Sequence, residues 1–184
     1  MTSETPPAVL IVEDERELAD LYAEYLRESY DFDVAYSGEE ALEMIPGGYD
    51  VALLDRRMPV VSGNEVVAHM ADRGVNCRVA LITAVNPDFE IIDMRIDDYL
   101  VKPVTRAELR ETVDRLLRID EYNERAQELT SKKLKRNVLE IEKRAAELDD
   151  SEEFASLCRE IDALETEVDD IAEQLAPDDL ERYG

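Results

Sequence analysis

Five short apolar segments, separated by stretches with helical periodicity, limit the folds open to this chain more than any other feature. The segments begin at or near Ala8, Phe32, Val51, Arg78 and Tyr99 and are rich in valine, isoleucine and leucine. A continuous apolar run bounded by polar residues is typical of a strand that is buried on both faces. Because such strands alternate with helices, we expect a parallel sheet with helices on both sides.

Capping patterns indicate where the helices begin. Ser62 and Glu65 have the spacing of a capping box, in which a hydroxyl and a carboxylate bond each other's backbone amides. Asp14, with Glu17 three residues later, predicts that Asp14 caps the first helix. Asn86-Pro87 predicts a short helix ahead of the fifth strand.

Polar residues suited to chemistry stand where the predicted strands end. Glu13 and Asp14 follow the first strand, and Asp55, Thr83 and Lys102 stand at the ends of the third, fourth and fifth strands. In a doubly wound sheet of order 2-1-3-4-5, the first and third strands are neighbours, and ligands bind beyond their carboxyl ends. Three carboxylates would then converge. Hard oxygen ligands without histidine or cysteine favour Mg²⁺.

This set of residues suits the transfer of a phosphoryl group onto a carboxylate. Asp55 would attack as the nucleophile, while Mg²⁺ and Lys102 hold the phosphoryl oxygens and Thr83 offers a hydroxyl. The alternative is that each acid is only a helix cap or a solvated loop residue. Because the set occupies successive strand ends, we favour the chemical interpretation.

Residues 9–117 resemble the receiver domain of response regulators, the phospho-accepting half of two-component signalling. The resemblance implies the flavodoxin-like fold, a sensor histidine kinase as the phosphodonor, and a regulator rather than an enzyme. The matching residues are Glu13, Asp14, the acceptor Asp55 with Met58, Pro59 and Gly63, then Thr83, Ala84, Tyr99, Lys102 and Pro103.

The family also implies how such a site works. Its Mg²⁺ ligands would be Glu13, Asp14, Asp55 and the backbone carbonyl of Arg57. The peptide between Lys102 and Pro103 would be cis. On phosphorylation Thr83 would move toward the phosphoryl oxygens and Tyr99 would rotate inward, which changes a surface that often forms dimers.

Three features depart from the family pattern. Arg56 and Arg57 follow the acceptor directly, and Arg57 is in a position to reach over the site and alter the lifetime of the phosphoryl group. Val85, two residues after Thr83, should not help to hold an attacking water. The segment 94–96 replaces a usual pair of small residues, which predicts an atypical surface there.

Beyond the receiver-like part, the pattern is helical without strands. The chain has no glycine or proline from Val104 to Ala176, and Asp149–Ser151 is a candidate turn between two helices. We predict an antiparallel helical hairpin, with a break or a kink near Thr130-Ser131, where the heptad spacing changes. Its two seams would be Leu134, Val138, Ile141, Ala145 and Leu148, facing Phe154, Leu157, Ile161, Leu164, Val168, Ile171 and Leu175.

This hairpin resembles the HalX domain, an accessory region that follows receivers in halophilic archaea. The predicted fold is therefore an α/β domain at residues 8–118, followed by an all-α hairpin or coiled coil at residues 119–178. Two helices bury little apolar surface, so we expect the hairpin to pack against its twin in a homodimer or against another partner.

One basic segment leaves two interpretations open. Lys132, Lys133, Lys135 and Arg136 lie close together on one predicted helix. They either bind DNA, as in a transcriptional regulator, or pair with the acidic helix of the hairpin. No helix-turn-helix pattern follows the receiver-like part.

The acidic composition predicts adaptation to salt, and the isolated cysteines and the absence of long apolar stretches predict a cytoplasmic location. The chain has 46 Asp and Glu against 21 Lys and Arg, a formal net charge of −25. Strong salt screens the resulting self-repulsion. The two cysteines, Cys77 and Cys158, do not form a metal-binding pattern. No apolar stretch is long enough to span a bilayer, and residues 1–7 lack the apolar region of a signal peptide, so we expect no membrane association.

Overall fold

The computed structural model describes residues 6–87 and 89–176. Most of the predicted polar lead-in, as well as residues 177 and 178 of the predicted helical domain, lies outside the described residues. The chain divides into two compact units, Met1–Leu117 and Arg118–Gly184. The predicted domain boundaries at residues 118 and 119 remain a prediction.

The first unit is built on a parallel sheet of five strands. They are β1 (Ala8–Val12), β2 (Asp31–Ala35), β3 (Val51–Asp55), β4 (Arg78–Thr83) and β5 (Asp98–Val101). Their order is β2-β1-β3-β4-β5, and every neighbouring pair is parallel. This confirms the predicted fold class. Because β1 lies between β2 and β3, the chain reverses its winding direction there, and a crevice opens beyond the ends of β1 and β3.

Helices cover this sheet, and the local sequence explains where they begin. They are α1 (Arg16–Leu26), α2 (Gly38–Met44), α3 (Gly63–Asp72) and the first part of α4 (Arg106–Glu142). Ser62 and Glu65 form the predicted capping box at α3. The predicted cap at Asp14 is wrong, because the N-cap of α1 is Glu15, which makes no side-chain cap bond. Because it does not cap α1, the Asp14 side chain is available to bind a ligand in the crevice beyond β1 and β3.

The segment between β4 and β5 contains a 3₁₀ helix at Phe89–Asp93 rather than a longer α-helix. Its Phe89 and Ile92 side chains are 89% and 74% exposed. Such a short helix with two exposed apolar side chains agrees with the atypical surface that the sequence predicts here.

Apolar side chains pack between the sheet and the helices and form the core of the first unit. Strands β1, β3 and β4 are almost wholly buried, as their continuous apolar runs predict. Tyr22 of α1 is also buried, and its hydroxyl has no hydrogen-bond partner among the described residues. Burial raises the pKa of Tyr22, and the nearby charges of Glu13 and Asp55 raise it further.

The second unit consists of the rest of α4, the short helix α5 (Ala145–Asp149) and α6 (Glu152–Gln174). Of the predicted break or kink near Thr130-Ser131, the break is wrong, since α4 continues to Glu142. Thr130 donates its hydroxyl hydrogen bond to the carbonyl of Ala126 one turn earlier, so its polar group is satisfied within the helix. No described helix is both long enough and apolar enough to cross a membrane.

One of the two predicted seams is correct and the other is wrong. All seven seam residues of the second helix, from Phe154 to Leu175, are buried or half-buried. By contrast, Leu134, Val138 and Ile141 are 64%, 51% and 80% exposed. Leu134 follows Leu129 by five residues, whereas one face of a helix repeats every three or four. The apolar stripe therefore shifts around α4, away from the face that contains residues 132, 133 and 136.

Ion pairs join α4 to α6 along that face and show that the two helices are antiparallel. Lys132 Nζ lies 2.7 Å from a carboxylate oxygen of Glu160, and Lys133 Nζ lies 2.5 Å from one of Glu165. A third pair joins Arg125 to Glu167 at 3.3 Å. Cations of α4 therefore pair with carboxylates of α6 along this face.

We predict that Tyr22→Phe leaves the fold intact and keeps or raises its stability. A buried hydroxyl that lacks a partner destabilises the folded state by up to about 1–3 kcal/mol, and the substitution removes this hydroxyl. The matched control is Tyr30→Phe, because the Tyr30 hydroxyl donates to the Asp114 carboxylate and its loss should cost about 1–2 kcal/mol. Urea unfolding in concentrated salt measures both, and an equal loss in the two variants would contradict the prediction.

Candidate functional site

Three carboxylates meet beyond the ends of β1 and β3. Glu13 and Asp14 follow β1, and Asp55 is the last residue of β3. One carboxylate oxygen from each of the three lies within 4.8 Å of the others. Glu13 is 1% exposed and Asp55 is 7% exposed. The sequence-based prediction that these three side chains converge is matched by their positions.

Lys102 lies between two of these carboxylates. Its Nζ is 2.7 Å from Glu13 Oε2 and 3.3 Å from Asp55 Oδ2. Its backbone amide donates to the carbonyl of Thr83, and the peptide to Pro103 is cis, as the family resemblance implies. The lysine is thus fixed at the end of β5 with its charge directed into the acidic cluster.

The pKa values of Glu13 and Lys102 reflect this arrangement. Burial raises the pKa of Glu13, and the charge of Asp55 adds to the rise, although the hydrogen bond from Lys102 opposes it. For Lys102, burial acts to lower the pKa, but the hydrogen bond to Glu13 and the charges of Glu13 and Asp55 outweigh it and raise the pKa. One lysine therefore offsets only part of the charge on three carboxylates, and the remaining negative charge favours a cation.

The chemistry of these donors fits Mg²⁺. The cluster offers three carboxylates, one of them more exposed than the other two, and no histidine or cysteine. Mg²⁺ takes oxygen ligands and keeps several waters, so it needs few protein ligands and one open side. The residues that would hold it are Glu13, Asp14 and Asp55, together with the Arg57 backbone carbonyl that the family resemblance adds.

The loop after Asp55 is closed tightly by Gly63. The Gly63 amide donates to the carbonyl of Arg56 at 3.0 Å, and the amide of Arg57 donates to Asp55 Oδ1 at 3.3 Å. A Cβ atom at position 63 would lie 2.2 Å from the carbonyl oxygen of Asp55. Glycine is therefore required by the close approach of the two backbone segments.

The candidate switch residues lie on the next two strands. Thr83 ends β4, is fully buried, and accepts a long hydrogen bond of 3.4 Å from the amide of Val85. Tyr99 of β5 donates its hydroxyl hydrogen bond to the carbonyl of Val85 at 2.8 Å. The loop that begins at Ala84 thus connects the threonine hydroxyl to the tyrosine.

The two arginines after the acceptor differ in their surroundings. Arg56 is 7% exposed, and its guanidinium lies 2.6 Å from a Glu90 carboxylate oxygen and 3.5 Å from the Tyr99 hydroxyl. Arg57 is exposed. Sequence analysis singled out Arg57 for a role at the site and gave no role to Arg56. The usual exposure of arginine concealed the burial of Arg56, although its place at the end of a buried strand was a usable signal.

The predicted basic segment lies in the helical part of the chain. Lys132, Lys133, Lys135 and Arg136 all belong to the second unit. Lys132 and Lys133 pair with carboxylates of α6, and Arg136 lies 3.9 Å from Glu140 on its own helix.

Comparison with known families gives two matches that together span most of the chain. Residues 9–114 match the model of the response regulator receiver domain. Residues 118–183 match the model of the HalX domain.

Two similar proteins carry names that refer to transcription. A protein of Haloferax volcanii that is named as a transcriptional regulator is 49% identical over 110 residues, which are 59% of this chain and 19% of that protein. The transcriptional regulatory protein CutR of Streptomyces coelicolor is 43% identical over 106 residues, or 55% of this chain and 49% of CutR. The chain therefore aligns with less than half of either relative's length.

Solved structures resemble the first unit. The response regulator TrrA of Thermotoga maritima, in complex with Mg²⁺ and beryllium fluoride, is 35% identical, with a TM-score of 0.55 over 60% of this chain and 99% of TrrA. A Francisella response regulator receiver domain is 30% identical, with a TM-score of 0.57 over 60% of this chain and 96% of that one.

We predict that Gly63→Ala disrupts the loop that follows Asp55. The added Cβ would overlap a backbone oxygen, which cannot move aside like a flexible side chain, so we expect a loss of about 1–3 kcal/mol in the free energy of unfolding. Gly47→Ala is the matched control, since its Cβ would lie 3.7 Å from the nearest atom and should cost little. Chemical denaturation in concentrated salt measures both variants. Equal stability of Gly63→Ala and Gly47→Ala would contradict the close approach of Gly63 to the Asp55 carbonyl.

Proposed function

Because the chain belongs to the response regulator receiver family and carries a HalX match behind the receiver, we propose that it accepts a phosphoryl group on Asp55 from a sensor histidine kinase. In this proposal residues 8–118 form the receiver and residues 119–178 form the output that responds to it. The observation that carries the proposal is the cluster of Glu13, Asp14 and Asp55, into which Lys102 extends its charge.

The chemical step is the transfer of a phosphoryl group to a carboxylate oxygen of Asp55. That oxygen attacks the phosphorus of the donor's phosphohistidine, forming a P–O bond while the P–N bond breaks. The electron pair of the broken bond stays on the imidazole nitrogen, which takes up a proton. The product is an acyl phosphate on Asp55, and its hydrolysis by water returns the carboxylate and inorganic phosphate.

The neighbours of Asp55 have separate roles in this step. Lys102, already 3.3 Å from Asp55, is placed to bind a phosphoryl oxygen. Glu13, Asp14, Asp55 and the carbonyl of Arg57 would hold Mg²⁺, which when bound supplies positive charge to the phosphoryl oxygens. The solved complex of TrrA with Mg²⁺ and beryllium fluoride supports the choice of cation for this fold.

The acyl phosphate would then alter the residues of β4 and β5. The buried hydroxyl of Thr83 would donate to a phosphoryl oxygen and draw Ala84 and the following loop with it. Since Tyr99 is bonded to that loop through Val85, its ring would move as well. Pro103 fixes the adjoining peptide that carries Lys102.

For the output we propose self-association of the helical unit as a homodimer. A groove of about 800 Å³ is lined in part by Leu134, Val138, Leu148, Phe154 and Leu157. Leu134 and Val138 are more than half exposed at this groove. The cations Lys135 and Lys143 and the acids Glu147 and Glu153 also line it, so a second copy could place opposite charges together. A chain with a net charge of −25 repels its twin over most other surfaces.

The alternative, a DNA-binding regulator that uses the basic segment, has weaker support. The names of the Haloferax and Streptomyces relatives refer to transcription. However, Lys132 and Lys133 are occupied by carboxylates of α6, and phosphate contacts need cations that are free to pair. We therefore favour an output that acts through protein contacts.

The acceptor assignment is tested by phosphorylation with a small donor. After incubation with acetyl phosphate and Mg²⁺, we expect one added phosphoryl group per chain by intact mass spectrometry, lost in Asp55→Asn and when Mg²⁺ is chelated. Asp50→Asn is a matched control, because Asp50 is an exposed carboxylate that bonds the Ala8 amide and should leave labelling intact. Labelling that survives Asp55→Asn would rule the assignment out.

The proposed dimer is tested by introducing a charge into the groove. Val138→Glu should shift the chain toward the monomer in sedimentation velocity, because a carboxylate would be buried against apolar side chains. Asn137→Glu adds the same charge at an exposed polar position next to it and should leave the association unchanged. The proposal fails if both variants associate like the parent chain with and without acetyl phosphate.

A further inference from the structure

The last turns of α4 carry three apolar side chains that are mostly exposed. Leu134, Val138 and Ile141 are 64%, 51% and 80% exposed. Their spacing of four and then three residues places them on one face of the helix, and we call these three residues the α4 patch. Exposed apolar side chains grouped in this way are typical of a surface that binds another protein.

Helix α6 packs against a different side of α4. Arg125 and Lys132 of α4 pair with Glu167 and Glu160 of α6. At about 3.6 residues per turn, both cations lie about half a turn around α4 from Leu134. The α4 patch therefore stays open when the hairpin is formed.

Two opposite charges stand beside the α4 patch. Lys135 follows Leu134 directly, Glu142 follows Ile141 directly, and both charged side chains are exposed. They are about two turns apart, whereas side chains that pair within one helix are three or four residues apart. Within residues 6–87 and 89–176, no ion pair joins either of them to another residue. Both charges are thus free to pair with a partner.

A second copy related by a two-fold axis meets the apolar and the charged side chains together. If two α4 helices run antiparallel and cross near Leu139, Val138 meets Ile141 of the second copy, and Lys135 meets Glu142 of the second copy. Both pairs are centred close to Leu139, and the symmetry forms each contact twice. In a parallel pair each residue would lie level with its own copy, so Lys135 and Glu142 would stay about two turns apart.

We propose that two copies bind each other through the α4 patch with antiparallel α4 helices, so that Lys135 of each copy pairs with Glu142 of the other. This inference rests on the self-association proposed above and adds the direction of the helices and the charges that fix it. The net charge of −25 makes the chain repel its twin over most other surfaces. The two contacts between Lys135 and Glu142 therefore favour this alignment over alignments that bring acids together.

The test reverses one charge in each of two full-length variants. In a dimer of Lys135→Glu, acids face acids at both contacts, and in a dimer of Glu142→Lys, cations face cations. We expect each variant alone to dimerise about tenfold more weakly than the parent chain. An equimolar mixture should recover the parent's affinity, because a heterodimer of the two variants has opposite charges at both contacts. Sedimentation equilibrium with and without acetyl phosphate, at the lowest salt concentration that keeps the chain folded, measures these affinities.

Arg159→Glu and Glu173→Lys are the matched controls. They change the net charge by the same amounts at exposed positions of α6, outside the α4 patch. A mixture of these two should dimerise no better than the stronger of its components. The chain that carries both Lys135→Glu and Glu142→Lys should dimerise like the parent, which also shows that the substitutions preserve the fold.

The outcomes separate this inference from the proposed function. Recovery of affinity in the mixture of Lys135→Glu and Glu142→Lys supports the antiparallel pairing. If that mixture associates no better than either variant alone, the pairing is overturned, while a parent dimer that Val138→Glu weakens would leave the proposed self-association standing. A parent chain that stays monomeric with and without acetyl phosphate contradicts both.

Discussion

The balance of charge around Lys102 is the interaction on which the rest of the site depends. Glu13 and Asp55 are almost fully buried, and two buried carboxylates so close together would repel each other strongly without a cation. Lys102 lies within ion-pairing distance of both. The three side chains come from the ends of β1, β3 and β5, so this contact also ties the carboxyl edge of the sheet together. Because one lysine cannot neutralise three acids, the same contact leaves a place for a second cation.

Much of this could be predicted from the sequence, because the signals were local. Continuous apolar runs located the strands, and their alternation with helices predicted a parallel sheet, for which the order 2-1-3-4-5 was assumed. The convergence of Glu13, Asp14 and Asp55 then followed from topology, since the carboxyl ends of neighbouring parallel strands meet at one edge. The family resemblance added Tyr99 and the cis peptide at Lys102, of which the cis peptide is confirmed.

The features that the sequence failed to predict have a common physical cause. The side chains of Arg56, Leu134 and Lys132 are placed by contacts distant in sequence, and a local pattern does not contain those contacts. Arg56 is buried because Glu90, far along the chain, meets its charge. Leu134 matched a heptad seam but is mostly exposed, while Lys132 pairs with Glu160 of α6. Periodicity predicts that a helix has two faces, but it does not say which face a partner covers.

The ion pairs between α4 and α6 have a consequence for the alignment of the hairpin. Each exposed pair contributes little to stability, about 0–1 kcal/mol, and less in strong salt. Their arrangement nevertheless discriminates between alignments of the two helices, because each cation of α4 meets one particular carboxylate of α6. A slip of one heptad would bring Lys132 and Lys133 opposite other residues and leave Glu160 and Glu165 without these partners. The few lysines of a very acidic chain thus favour one register of α4 against α6. The apolar seam alone would allow several registers.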